Sequence, residues 1–347
     1  MSLTRLASEH QNKLVAVSDR AARQTLQLWN QVQAGSLEAG WTGIAPQVER
    51  VVADAQVTAA ALSTAYVDSA LRMQGADAQA GRVVPEAFGG ATREGRAIAP
   101  ELYAAVTTTK TLIGRGFGVG QAFRAGAAFM SVMASTLVRD AGRSADRTQA
   151  AGAGVLRSVR VVSPGACSRC AILAGVTGYR TDFNRHPGCR CTSMPIRDGE
   201  DAPEGFFKST DDYFDSLSKA EQDRVFTKSG AEAIRAGADP AKVVNARRGA
   251  SGISYTSRGT GRVSPGRLQP VTIGVRADGS PLQVFATNEG TTSRGAFGRT
   301  QTLNANVQAG DRYRRTSSLR LMPEQIMQMS ADPAVVRELL KKYGYIL

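Results

Sequence analysis

The sequence predicts a mainly α protein with a small β and zinc-knuckle unit in its middle, an α+β chain. Three observations carry this reading. Apolar residues recur at helical spacing over residues 2–34 and about 45–74, the period changes to two at residue 155, and all four cysteines fall between 167 and 191.

The first helix is read over residues 2–34, where Leu3, Leu6, His10, Leu14, Val17, Ala21, Leu28 and Val32 recur at spacings of three, four or seven. That is the stripe of an amphipathic helix, and Gly35 ends it. A second helix is read from about Ala45 to Gln74, with Ile44, Val48, Val51, Ala55, Ala59, Leu62, Tyr66, Ala70 and Met73 on one stripe. Pro46 is placed in its first turn, where the missing N–H costs little. Joined by a glycine-containing turn, the two make a long N-terminal helical hairpin. Gly75 to Ala99 reads as a connector, and Pro100 opens a helix to about Leu112. Gly114, Gly116, Gly118 and Gly120 alternate, but without GxGxxG spacing or a preceding strand they read as a hinge rather than a phosphate loop. The next helix, Gln121 to Gln149, is rich in small residues (Ala125, Gly126, Ala127, Ala128) that suit close packing.

Residues 155–162 alternate as a strand leading into the cysteines, and Thr192 to Ile196 returns as another. Beyond it, Ser218-Lys-Ala-Glu221 is a capping box, and Asp239-Pro240 with Gly249 brackets a further helix. Asp332, Pro333 and Gly344 punctuate the last helix, with Val335, Val336, Leu339 and Leu340 as its apolar positions. Between 250 and 318 only short apolar runs occur, Val271 to Val275 and Leu282 to Phe285, which predicts a basic, loop-rich region with one hairpin. The expected divisions are a helical part (1–154), a zinc-binding β unit (155–198), a helical segment (199–249), an Arg-rich region (250–322) and a C-terminal helix (323–347).

The formal net charge is +13, which favours a polyanionic partner. It is segregated along the chain. Residues 241–320 hold twelve arginines and Lys242 against Asp278, Glu289 and Asp311, whereas residues 198–240 hold eleven acidic and five basic side chains. Arg247, Arg248, Arg258, Arg262, Arg267, Arg312, Arg314 and Arg315 are the candidate phosphate contacts, although Arg-rich loops dock equally on an acidic protein. The N-terminus has no apolar signal-peptide core, and no stretch reaches the roughly 18 apolar residues of a membrane span, so no membrane partner is expected.

The chemistry concentrates in Cys167-Ser-Arg-Cys170 and, fifteen residues on, His186-Pro-Gly-Cys189-Arg-Cys191. Two intervening residues let the thiolates of a C-x2-C pair face one point, and His-Pro-Gly-Cys repeats that geometry with an imidazole. Together they predict a structural zinc site. Cys167, Cys170, His186 and Cys189 rank first as ligands, with Cys191 as a ligand or near neighbour. Two disulfides or four buried thiols are the alternative, but cysteines confined to one short stretch do not staple distant segments. A catalytic zinc needs an open position, and five donors crowd this stretch. There is no HExxH, and the H-x-E with P-C-x-x-C of zinc deaminases is absent.

With only His10 and His186 in the chain, a nucleophile has almost no base. His10 lies on the apolar stripe of the first helix and reads as a packed core or interface residue. Asp211 and Asp212 sit at a helix start, where acids favour the dipole. No complete catalytic constellation results.

On the string Cys167-x2-Cys170 with His186-Pro-Gly-Cys189-Arg-Cys191, the sequence resembles the phage head morphogenesis family, the Mu F-like minor head (minor capsid) proteins of tailed bacteriophages. The shared pattern is a helical N-terminal region, then C-x2-C and H-P-x-C-R-C, ending in a short strand with a proline, here Pro195. It covers roughly residues 30–197. The strings AEAIRAGADPAKVVNARRG (231–249), RLMPEQI and KKYGYIL resemble an extension found in actinobacteriophage members. The resemblance implies a protein made in the bacterial cytoplasm and recruited to the procapsid near the portal. It would lie inside the virion head beside portal, major capsid or scaffold proteins and touch packaged double-stranded DNA. A capsid maturation protease and a zinc-containing nucleic-acid-binding protein are the alternatives.

Overall fold

A computed structural model describes residues 2–76, 81–177, 183–252 and 320–346, together with the strand backbones lying between 254 and 314. The chain divides into two compact units, Met1–Ala166 with Leu173–Ser209, and Cys167–Ile172 with Thr210–Leu347.

In the first unit, helices α1 (Leu3–Trp29), α2 (Leu37–Ala61), α4 (Ala99–Gly114) and α5 (Val119–Gly152) surround one apolar core. Leu14 and Trp29 come from α1, Trp41, Val48 and Val52 from α2, Leu102 and Val106 from α4, and Met130 and Val138 from α5. The glycine run forms the α4–α5 turn, with Gly116 at φ +85°. The second helix differs from expectation. It starts at Leu37, eight residues before Ala45, so Pro46 lies in its interior, and it breaks at Leu62 before α3 (Ser63–Met73). Packing outweighs propensity here, because Trp41 and Ile44 from the extra turns are buried. Gly40 is needed for that approach: a Cβ on it would meet Val32 Cγ1 at 2.8 Å. Helix α1 correspondingly stops at Trp29, and Gly35 falls in a 3-10 turn.

The sheet has the order β2-β1-β3, all antiparallel, with β1 (Arg157–Val161) central, β2 at Val176–Thr177 and β3 at Thr192–Ile196. Val159 lies opposite Met194 and both pack with Tyr66, Val67, Ala70 and Leu71 of α3. The returning strand falls on the expected residues, whereas β2, only two residues long, carries no periodic signal.

The second unit contains α6 (Ser168–Ala171), α7 (Thr210–Asp215), α8 (Lys219–Phe226), α9 (Lys228–Arg235) and α10 (Pro240–Gly252), then α11 (Pro323–Met329) and α12 (Pro333–Lys342). The capping box at Ser218 and Glu221 forms, and Asp332 accepts from Ala334 N–H at the start of α12. Helix α10 runs through Gly249, and α11 precedes the single C-terminal helix expected. Phe214 and Phe226 meet edge to face at 5.3 Å, and buried Tyr345 donates its hydroxyl to Leu321 O at 2.9 Å. The apolar runs 271–275 and 282–285 fall in β4 (Gln269–Val275) and β5 (Pro281–Thr287), which pair as an antiparallel hairpin.

Candidate metal centre

Cys167 caps α6, and its main-chain oxygen accepts from Cys170 N–H at 2.9 Å and Ala171 N–H at 3.0 Å. One tight turn thus returns the second thiol toward the first. His186-Pro-Gly-Cys189 makes a similar turn: Cys189 N–H donates to His186 O at 3.1 Å, and Gly188 adopts φ +77°, a backbone that favours glycine. Gly188 N–H donates to Thr136 Oγ1 of α5 at 2.8 Å, which pins the turn to the helix. His186 Nδ1 lies 2.8 Å from Pro187 O. With the proton on Nδ1, Nε2 presents its lone pair as a ligand atom.

Two overlapping groups of donors result. The ligand atoms of Cys167, Cys170 and His186 lie within 4.8 Å of one another, as do those of Cys170, Cys189 and Cys191. Sulfurs around one tetrahedral ion at about 2.3 Å would be about 3.8 Å apart, so a modest contraction closes either group on a metal. Cys170 belongs to both. All five residues singled out in the sequence therefore meet in one cluster that could hold a metal ion, and Cys191 stands on equal terms with Cys189. Cys170, Cys189 and Cys191 are buried, His186 is half-buried and Cys167 is exposed. None of the four cysteines is in a disulfide.

A cationic shell backs the buried thiols, and sequence reasoning missed it. Arg143 of α5 donates through Nη2 to Cys189 O at 2.6 Å, through Nε to Cys191 O at 2.9 Å and through Nη1 to Asp140 Oδ1 at 2.9 Å. Asp140 also holds Arg185 through both carboxylate oxygens, and this hydrogen bonding raises the Arg185 guanidinium above its ordinary range. Burial, with Arg143 beside it, lowers the Arg139 guanidinium to about 10, so it remains a cation at neutral pH. A divalent ion held by three thiolates and a neutral imidazole leaves one net negative charge, and by four thiolates two, which these guanidiniums offset. Arg139 and Arg143 were legible only as a one-turn pair on a helix of small residues.

His10 is buried, as its stripe predicts, but it also has a specific partner: its Nε2 lies 2.9 Å from Asp146 Oδ2 on α5. Of the proposed phosphate contacts, Arg247 and Arg248 fall within α10 and Arg314 within the two-residue strand Tyr313–Arg314, where only backbone is described. Arg258, Arg262, Arg267, Arg312 and Arg315 lie outside the described residues. No helix among the described residues is long and apolar enough to cross a membrane.

Fold and site together define a mostly helical protein with a small antiparallel sheet and a Cys/His cluster able to bind a metal. No protein-family model, curated protein or solved structure matches the chain.

Proposed function

We propose that this chain is a minor head protein of a tailed bacteriophage that acts in procapsid assembly near the portal, with zinc as a structural ion. The observation that carries the reading is the convergence of the donors of C-x2-C and H-P-G-C-R-C on one point. Thiolates and imidazole are the donors zinc prefers, and a donor set this crowded leaves no vacant position for substrate. The zinc stiffens the middle of the chain, and the long helices meet portal, capsid or scaffold partners. The basic stretch 241–320, with twelve arginines, contacts packaged double-stranded DNA through phosphates and without sequence choice.

The test combines metal analysis of the purified chain with its location in purified particles. One zinc per chain and a few copies per DNA-filled head are expected. A stably folded, metal-free chain, or particles without the protein, would end the proposal. Binding to duplex DNA should fall linearly in log affinity against log salt, by about 0.9 per phosphate neutralised, and to the same degree for unrelated sequences.

A further inference from the structure

The turn between α4 and α5 has a fixed backbone and leaves its apolar side chains exposed. Gly116 N–H donates to Ile113 O at 2.9 Å, Phe117 N–H to Leu112 O at 3.1 Å, and Ala122 N–H to Gly118 O at 3.0 Å. The first two bonds, with Gly116 left-handed, are the paired closure of a helix C-terminus, in which the following apolar residue ordinarily packs back on the last turn. Phe117 instead stays 43% exposed, and Ile113 and Val119 at the same tip are 37% and 48% exposed. Arg115 stands among them and Arg124 lies early in α5, both exposed, and neither has an ion-pair partner among the described residues. From Leu102 to Arg139 the sequence has no acidic residue, and Glu38 of α2 is held by Lys110. A tip that is both apolar and cationic is covered best by a surface with an apolar floor and an acidic rim.

The second unit carries such a surface. A groove of about 650 Å³ between α7, α9 and the start of α10 is lined by Asp211, Asp215 and Asp239, with half-buried Ile346 beside Ile234 and Pro240 as its floor. Asp211 and Asp215 are exposed. Arg235 also reaches the groove, but its Nη1 donates to Gln222 Oε1 at 2.8 Å and its Nη2 to Asp223 Oδ1 at 2.9 Å, so its charge is already offset. The groove is therefore net negative. Its volume is within the range of pockets that enclose a drug-sized molecule, ample for a phenylalanine side chain and a neighbour.

We propose that the α4–α5 tip of one copy docks in this groove of a second copy. Phe117 enters over Ile346, and Arg115 and Arg124 meet the carboxylates of Asp211, Asp215 and Asp239. An anionic lipid surface would cover the tip but leave the acidic groove unfilled, whereas a second copy satisfies both. Each copy carries one tip and one groove, so the contact is head-to-tail and extends to a ring or a filament rather than stopping at a dimer. A contact this small is at the transient end of protein interfaces, so copies exchange. The inference rests neither on the metal cluster nor on a phage role.

Sedimentation velocity of the full-length, metal-loaded, nuclease-treated protein across a concentration series tests it. The sedimentation coefficient should rise with concentration, and salt should oppose the rise. Phe117→Ser removes the anchor of the tip, and Asp215→Lys sets a like charge against the arginines; each should weaken association about tenfold or more, with a wild-type thermal melt. Should Phe117→Ser disturb the fold, Arg115→Glu at an exposed side chain makes the same test. Mixing is the decisive arm, because Phe117→Ser keeps an intact groove and Asp215→Lys an intact tip. Together they should form a heterodimer that grows no further. The proposal is overturned if wild type stays monomeric throughout, whether or not it binds anionic vesicles. It is equally overturned if the tip variant assembles like wild type, or if the two variants mixed sediment as two monomers.

Discussion

Replacing Arg143 tests whether the cysteine loop is held by α5. The residue is 4% exposed, and its donors reach the carbonyls of Cys189 and Cys191 as well as Asp140. Hydrogen bonds from a charged group contribute about 1.5–3 kcal/mol each, so the two carbonyl contacts alone represent roughly 3–6 kcal/mol before relaxation. Asp140 keeps Arg185, so Arg143→Ala does not strand a buried carboxylate. A net loss of about 3–5 kcal/mol is expected, the usual cost of breaking a buried charged network. The only two tryptophans, Trp29 and Trp41, are both buried in the first unit, so their fluorescence reports this unit. With a urea slope near 3 kcal/mol per M, the midpoint should fall by about 1–2 M. Arg143→Lys keeps the charge but cannot span three acceptors, and should lose most of the same stability. A variant within about 0.5 kcal/mol of wild type, the range of surface substitutions, would refute the clamp.

Cys170→Ser removes the donor common to both groups and should abolish stoichiometric metal, while Cys167→Ser leaves Cys170, Cys189 and Cys191 together and should retain it; equal retention by elemental analysis would contradict this ranking. Gly126→Ala ordinarily helps a helix, but here the new Cβ would meet Thr109 Oγ1 at 2.0 Å and Trp29 Cζ2 at 2.8 Å. Overpacking should win, by about 1–3 kcal/mol, and a melt as high as wild type would show that the helices can separate without cost. Burial, and secondarily Asp146, raises the Tyr66 hydroxyl well above its ordinary value, so the folded state keeps a proton that the unfolded chain loses. This contribution is complete below about pH 10 and declines above it, and Tyr66→Phe should flatten stability between pH 10 and 12 in a pH series of urea melts.

Legibility in the sequence followed the range of the interaction. Helices α4 and α5 and strand β3 were readable because their signals are local: Pro100 opens α4, small residues run along α5, and Thr192–Ile196 follows directly on the cysteines. The start of α2 was not, because Gly40, Gly43 and Pro46 disfavour a helix that Trp41 and Ile44 impose by packing. The five metal donors were readable because C-x2-C and H-P-G-C place their chemistry within single turns. What orients them was hidden: Arg143 precedes the carbonyls it holds by 46 and 48 residues, and charges on a helix ordinarily read as a solvent face. The stripe put His10 inside, yet its partner Asp146 is 136 residues away.

These buried charges share one helix. The adjacent Arg139 and Asp140 are followed at one-turn spacings by Arg143, Asp146 and Gln149 down α5, all buried, below the apolar Met130, Ala134 and Val138. Arg143 serves the cysteine loop, Asp146 receives His10 of α1, and Gln149 donates to Asp68 of α3 at 3.1 Å and accepts from Val83 N–H at 3.0 Å. An apolar seam of the same volume would be as stable or more so, but it would tolerate sliding. A polar seam has one register in which these partners meet. Gly142 reinforces it, since any Cβ there would meet Leu14 Cδ2 at 2.5 Å and push α1 away from the contact His10 makes. The stretch of α5 up to Val138 therefore supplies most of the helix's apolar burial, and the stretch beyond it dictates where α1, α3 and the metal loop sit against it.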